Sequence, residues 1–445
     1  MQGKAGVLPN LEPVENDTTG IRMHLHRCLI FIFLFVLIGG CSRQEKGITT
    51  IRYMAWGNAD HLAVEQRIIG EFEKTHPNIH VKLFMVPDSV YHQKLQIMLA
   101  GRTAPDVMKV EGYNFPALVR KGYFRPIDKF ARNDPELDLD DYFDAPIKEC
   151  TYNGKLYGLN VAWGGQVIYY NKTMFKEAGL LDPYELDKRG EWTWDKFLEV
   201  AQKLTKKDEN GRYIQFGTTM PHHWTVVWAF GGDFLSPDMK RCVLDTPEAI
   251  RGLQFMKDLR WKYHVTPTPA EGTMSAFRFE SGRMGMYFGW SGQTAVILAN
   301  AKGFEWDVAP MPVGPAGRFT PMKGNTLATY VESRHPKEAY EFVKFVTSAK
   351  SEMFICGKLR RWITQHKSVA RSPEYLKAYT PPYHTDVFLH EMEYGRHPPI
   401  SERYNQWSVE LSTGLSRMWT NELDAKEAVK WMVPRINRAL REEEW

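Results

Sequence analysis

The sequence predicts an α/β protein built as two bodies, each a mostly parallel sheet flanked by helices. Three observations carry that expectation. Strand-like and helix-like segments alternate from Thr50 to Val110, a pattern that favours parallel strands with helices on their faces. A long β-prone run from Tyr152, interrupted by Gly158, Gly164 and Gly165, passes into a helical pattern at Lys172, as a strand crossing from one body to another would. Of the 445 residues, those that follow residue 40 are enough for two or three domains' worth of core.

Taken in order, the first 22 residues are polar and rich in turn formers, and Met23 reads as the start. The basic stretch Met23–Arg27 precedes the apolar run Cys28–Ile38. That run is too short for a mature membrane helix, which needs roughly 20 apolar residues, but it suits a signal-peptide core. Leu37-Ile38-Gly39-Gly40-Cys41 resembles the lipobox of bacterial lipoproteins, in which small residues admit the peptidase and the thiol of Cys41 takes a diacylglycerol. The alternative is an ordinary signal peptide with an incidental cysteine. Residues 1–40 are read as extension and signal peptide, and 41–48 as a polar tether.

Thr50–Trp56 alternates as a strand, and Asp60–Lys74 carries Leu62, Ile69 and Phe72 at helical spacing before Pro77. Val81–Val86 is a strand, Tyr91–Ala100 a helix ended by Gly101, and Val107–Val110 a strand introduced by Pro105-Asp106. In the crossing run Asn153-Gly154 is a strong turn signal, and Leu156, Val161, Val167, Ile168, Tyr157, Tyr169 and Tyr170 supply β propensity. Met174, Phe175 and Ala178 then share a helix side, stopped by Gly179. Thr193 caps a helix with Phe197, Val200, Ala201 and Leu204 at i, i+3, i+4 and i+7, and Thr246-Pro247 starts another. The chain is expected to cross back around Met286–Trp290, and Trp306–Val331 to rebuild the first sheet. The helix bearing Ala339, Phe342, Val343 and Val346 is expected to carry a third crossing. From Glu402 onward the pattern is helical, with Pro434 kinking or ending the last helix.

Several motifs in fixed order carry a resemblance. N-G-K-L-Y-G-L from Asn153, Y-Y-N-K-T-M-F-K-E-A-G-L from Tyr169 and Trp192-Thr193-Trp194-Asp195 are followed by Phe279-Glu280-Ser281-Gly282-Arg283-Met284-Gly285-Met286, Gly289-Trp290 and Lys337–Phe345. Together they resemble the extracellular solute-binding proteins of ABC importers, within the sugar-binding family that includes maltose-binding protein. The resemblance covers essentially everything after residue 48. It implies a two-lobed periplasmic-binding-protein fold with a ligand cleft between lobes, a soluble carbohydrate ligand, no catalysis and no cofactor. It further implies permease subunits as partners, a monomeric chain, and a place outside the cytoplasm, in the periplasm or at the cell surface, held to a bacterial membrane by the lipid on Cys41. The expected division is 49–158 plus 308–350 for one lobe and 159–307 plus 351–445 for the other. Two departures stand out: Asn160 replaces a common proline, and Leu359–Thr364 replaces a common Leu-Pro segment. Arg361 in the second keeps open an acidic sugar or a phosphorylated polyol.

Composition narrows the chemistry. A net charge of +4 gives no case for nucleic acid. Cys150, Cys242 and Cys356 are an odd number at wide spacing, with neither a disulfide framework nor a metal knot, although one pair could bridge. The excess is aromatic, with 14 Trp, 20 Tyr and 24 Phe. A pyranose presents an apolar C–H face and a hydroxyl rim, so it asks for a flat aromatic platform beside oriented polar groups.

Trp290 is the leading platform, because the resemblance places a stacking tryptophan after the F-x-x-G-x-x-x-M motif. Trp163, Trp56, Trp224 with His223, Trp362 and Trp407 are further candidates, each weighed against simple core packing. Glu111 is the favoured polar partner, since a carboxylate can accept from two vicinal hydroxyls, and Asn58, Asn114 and Asp233 stand beside it as candidates that could also be turn or cap residues. Asp106 is assigned to structure. Tyr113, beside Glu111 and Asn114, also sits at a strand end.

The competing class is an extracytoplasmic glycosidase, which needs only two carboxylates at the right separation. Gly289-Trp290-Ser291-Gly292 falls one residue short of a nucleophile elbow, and His390–Tyr394 lacks the second histidine of a zinc helix. Pro77 argues against His76 and His80 sharing a helix to hold a metal.

Overall fold

The computed structural model describes residues 47–57, 59–358, 363–377 and 381–441. The expected segments Cys41, Asn58, Arg361 and Trp362 lie outside these. Strands β1 (Thr49–Trp56), β2 (Ile79–Val86) and β3 (Val107–Glu111) alternate with helices α1 (Ala59–Thr75) and α2 (Asp88–Ala100). β1 is covered on both faces: Ile51, Tyr53 and Ala55 enter one core and Met54 another, which is why its sequence is apolar at successive positions. β1 pairs in parallel with β2 from Thr49↔Ile79 to Trp56↔Val86, and with β3 at Tyr53↔Val107.

Two later strands complete this sheet. β4 (Gly158–Gly164) lies at its edge and the sheet's fourth strand, named below, sits between β3 and β4. The chain then leaves directly into β5 (Gln166–Asn171) of a second sheet, so the first crossing is the Gly164-Gly165 step. A Cβ on Gly165 would lie 2.6 Å from Met322 Sδ and 2.9 Å from Glu391 Oε2. A side chain there would have to displace both groups.

The second sheet has the order β9-β5-β8-β7-β6, with β6 (Lys206–Lys207), β7 (Tyr213–Thr218), β8 (Met284–Trp290) and β9 (Trp306–Ala309). Helix α3 (Trp194–Leu204) buries Phe197, Val200, Ala201 and Leu204 against it, and the Thr193 hydroxyl accepts from Lys196 N as a cap should. Helices α4 (His223–Ala229) and α5 (Pro247–Trp261), the latter capped by Thr246, form a further layer behind.

The strand that closes the first sheet is β10 (Lys323–Thr329), antiparallel to both β3 and β4. The order of the first sheet is therefore β2-β1-β3-β10-β4. Both sheets are mixed in pairing: a strand arriving straight from the other body enters from the opposite end and runs against its neighbours. Helix α6 (Pro336–Val346) packs Ala339, Phe342, Val343 and Val346 on the same core as Phe72, with the Phe72 and Phe342 rings 5.2 Å apart. Helices α7 (Tyr404–Trp419) and α8 (Ala425–Arg441) join α4 and α5 in one cluster, and α8 runs through Pro434 without ending.

Three expectations about the crossings change. β8 stays in the second sheet and so does Trp306–Ala309, so the return falls between Pro310 and Met322. Helix α6 does not carry the third crossing: Cys356, Val369 and Tyr375 still belong to the first core, and Val387 and Phe388 to a second-sheet cluster. The first body thus holds 158–164 and much of 351–375, and the second holds 306–309. Hydrophobic pattern reports which residues are buried, not which of two cores buries them. Cys150, Cys242 and Cys356 are separately buried and free, so no pair bridges. Asp106 is structural as expected, its carboxylate taking Arg52 N at 2.8 Å and the Ser333 hydroxyl. Asn160, buried in β4, is also structural, accepting from Thr326 Oγ1 and donating to Pro146 O. Among the described residues no helix is long and apolar enough to cross a membrane.

Candidate functional site

The carboxyl ends of β1 and β3 and the start of the reversed strand β10 lie at one end of the first sheet, where an open α/β sheet presents ligands. Glu111 ends β3, and its Oε2 is 3.2 Å from His92 Nε2. Asn114 Nδ2 is 3.3 Å from His92 Nδ1, so the amide donates to one ring nitrogen and the other donates to Glu111. Lys323 Nζ stands 3.7 Å from Glu111 Oε1. Burial alone would raise the Glu111 pKa, but the His92 hydrogen bond and the Lys323 charge outweigh it and hold the group ionised, below its ordinary value. Trp56 closes this side, edge-on to Tyr91 at 4.8 Å and 5.9 Å from the His92 ring.

The opposing side comes from the second body. Trp290 ends β8, partly exposed, with the His222 ring 6.2 Å away at 73°. Trp224 N donates to His222 Nδ1, so the imidazole keeps its proton on Nε2. Burial, aided by the Lys323 charge, pulls the His222 pKa down to about 3. His223, stacked 4.2 Å from His222, is likewise kept neutral by burial.

Lys323 joins the two sides. Its ammonium lies 4.7 Å from the centroid of Tyr113 and 5.0 Å from that of Trp290. Tyr113 in turn stacks on Tyr404 at 4.8 Å and 8°, and Tyr404 opens α7 of the second body. Nearby, Asn405 donates to Asn114 Oδ1 at 2.9 Å, and Glu402 takes Arg120 at 2.9 Å and the Tyr152 hydroxyl.

Beneath Lys323 lies Glu149. Both its oxygens are 3.0 Å from Gly324 N, and His397 Nδ1 is 3.5 Å from Oε2. Burial pushes its pKa up to about 8, so it is largely protonated at neutral pH. Gly112 is required above it, since a Cβ would fall 2.6 Å from Glu149 Oε1.

Of the residues expected from sequence, Trp290, Glu111, Asn114 and Trp56 come together, and His223 stands behind His222. Trp163 does not offer a face: it is 0% exposed, its Nε1 directed at Met392 Sδ and its ring against His397, so it supports the floor. Trp224 and Trp407 are core, packed on Phe234 and on each other's cluster. Asp233 is spent on Arg396, Trp228 Nε1 and Phe234 N, which makes it a clamp. Sequence reasoning missed Lys323, Tyr404, His222 and Glu149. Lys323 left one signal, a lone cation at the head of an otherwise uncharged strand.

Two sheets with a polar and aromatic site where they meet define a two-lobed α/β binding protein. Residues 57–353 match the model of the bacterial extracellular solute-binding proteins, and the chain belongs to that family. A binding protein of Brucella abortus (strain 2308) is 25% identical over 291 residues, 62% of this chain and 66% of that one, so the match spans just under two thirds of that relative. The arabinooligosaccharide-binding protein of Bacillus subtilis (strain 168) is 24% identical over 339 residues, 72% of this chain and 75% of that one. Among solved structures, an ABC substrate-binding protein from Listeria monocytogenes in complex with cycloalternan superposes with a TM-score of 0.80 at 22% identity, covering 89% of this chain and all (100%) of the other.

Proposed function

We propose that this protein is the substrate-binding component of an ABC importer that captures a sugar or oligosaccharide between its lobes and presents it to a membrane permease. The link between Trp290 and Glu111 carries the reading: the Lys323 ammonium lies 5.0 Å from the indole of one lobe and 3.7 Å from the ionised carboxylate of the other, which brings together the aromatic and polar groups that a ring with one apolar face and a hydroxyl rim requires. The arabinooligosaccharide-binding relative and the cycloalternan complex support a saccharide guest. Closure follows from differential contact: a guest touching both walls favours the closed form, and only that difference drives the hinge. Among the described residues, lobe one comprises 49–57, 59–164, 323–358 and 363–375, and lobe two 165–322, 376–377 and 381–441. Cys41 carries the lipid that anchors the protein to a bacterial membrane, in the periplasm or at the cell surface.

A glycosidase would need two carboxyls with pKa values pushed apart, and Glu111 and Glu149 have that electrostatic pattern. Glu149, with a side chain only 4% exposed and both oxygens on Gly324 N, has no path to a glycosidic oxygen. A thermal-shift screen against mono- and oligosaccharides tests the binding reading, since a bound guest raises the melting temperature by mass action. Trp290→Ala should weaken the best binder roughly 30-fold or more, a hot-spot loss of about 2 kcal/mol, with the unliganded melting temperature unchanged. Unchanged affinity in calorimetry would remove the site, and turnover of an oligosaccharide would replace the function.

A further inference from the structure

The Lys323 ammonium stands 5.0 Å from the centroid of the Trp290 ring on which a sugar would stack, and this bears on the chemistry of the guest. Its backbone is fixed on both sides: Lys323 pairs with Gly164 at the crossing, and the next amide is held by Glu149. Its ammonium therefore extends from a rigid root over Tyr113 and Trp290. Its ion-pair partner is Glu111, at a loose 3.7 Å, and that carboxylate is shared with His92. The other groups around the ammonium carry little charge at neutral pH, because Glu149 keeps its proton and His222 and His223 lack a second one. The side chain is a quarter exposed (25%), so the ammonium, with its three donors, is not sealed from solvent.

A neutral pyranose that stacks on Trp290 must push the ammonium off that ring and offers only hydroxyls in return. A guest bearing an anionic oxygen group gives it a charge-assisted hydrogen bond in the same place. An amino sugar meets like charge there. We propose that Lys323 is a specificity-determining residue and that the site selects a saccharide carrying an anionic group, a uronate or a sugar phosphate. This inference rests on the sugar-binding reading of the same site.

The test uses the mature chain and matched pairs: a uronic-acid disaccharide against its neutral parent, and a hexose phosphate against the hexose. Calorimetry of the wild type is expected to give at least one anionic member an affinity ten-fold or more above its neutral parent, falling with added salt; which pair shows it separates carboxylate from phosphate. Lys323→Met should erase that ratio and Lys323→Arg should keep most of it, each with a wild-type melting temperature. A neutral parent bound as tightly as its anionic partner by the wild type, or an unchanged ratio in Lys323→Met, overturns the inference and leaves the sugar reading standing. No binding by either member of either pair, nor by any saccharide in the wider screen, overturns both.

Discussion

The two sides of the site are built from different material. The side from the first sheet is charged and hydrogen-bonded, with Glu111, His92, Asn114 and Lys323 tied into one chain of contacts at the strand ends. The side from the second body is aromatic and neutral, with Trp290 and His222 in front and Trp224, Trp228, Phe234 and Trp407 packed behind. The difference teaches a division of labour. Under the proposed function, the apolar side supplies contact area for a sugar face and the charged side screens its rim groups.

That division is broken most sharply by substituting behind the aromatic side. Trp224→Ala removes a core side chain and should cost about 3–5 kcal/mol of stability in urea unfolding. The folded fraction should still bind, opposite to Trp290→Ala. A Trp224 variant that keeps its stability and loses its ligand would merge face and backing into one site.

The charged side has a pH signature. Folded Glu149 holds its proton up to about pH 8, whereas the unfolded chain releases it near the model-compound value of 4.5. Its contribution to stability is complete below 4.5 and is lost as the pH climbs towards 8. Glu149→Gln should flatten the fall in melting temperature across that window relative to wild type. Parallel curves would mean that the Gly324 amide holds the carboxylate in its charged form.

The smallest expected effect tests the contacts by which the sides touch at the rim. Glu402 is half-exposed, so its pairing with Arg120 contributes at most about 1 kcal/mol. Glu402→Gln should leave the melting temperature in place and shift the hinge equilibrium towards the open form by up to roughly five-fold, read as a larger radius of gyration in ligand-free scattering. No change would place closure elsewhere, on Tyr113 and Tyr404.

Much of the fold was legible because helices such as α3 and α6 write their buried faces at a 3.6-residue period and their caps at Thr193 and Thr246. The crossings were less so. Trp306–Ala309 reads as a strand whichever sheet takes it, and only the path of the chain decides. The site divided in the same way. Trp290 and Glu111 lie at strand ends marked by local pattern, while Lys323, Tyr404 and His222 meet only after three passages between bodies. Trp163, Trp224 and Trp407 show the converse limit, since an indole that stacks on a sugar and one that fills a core are the same letter.

The position of β10 has a practical outcome. The strand that joins β3 to β4 in the first sheet is supplied by residues synthesised long after both, so a nascent or truncated chain ending before Lys323 has a gap between them. Such distant pairing slows folding. Anyone wishing to express one lobe by itself must splice Thr49–Gly164 to the later stretch through a new linker, because no uninterrupted gene fragment encodes it.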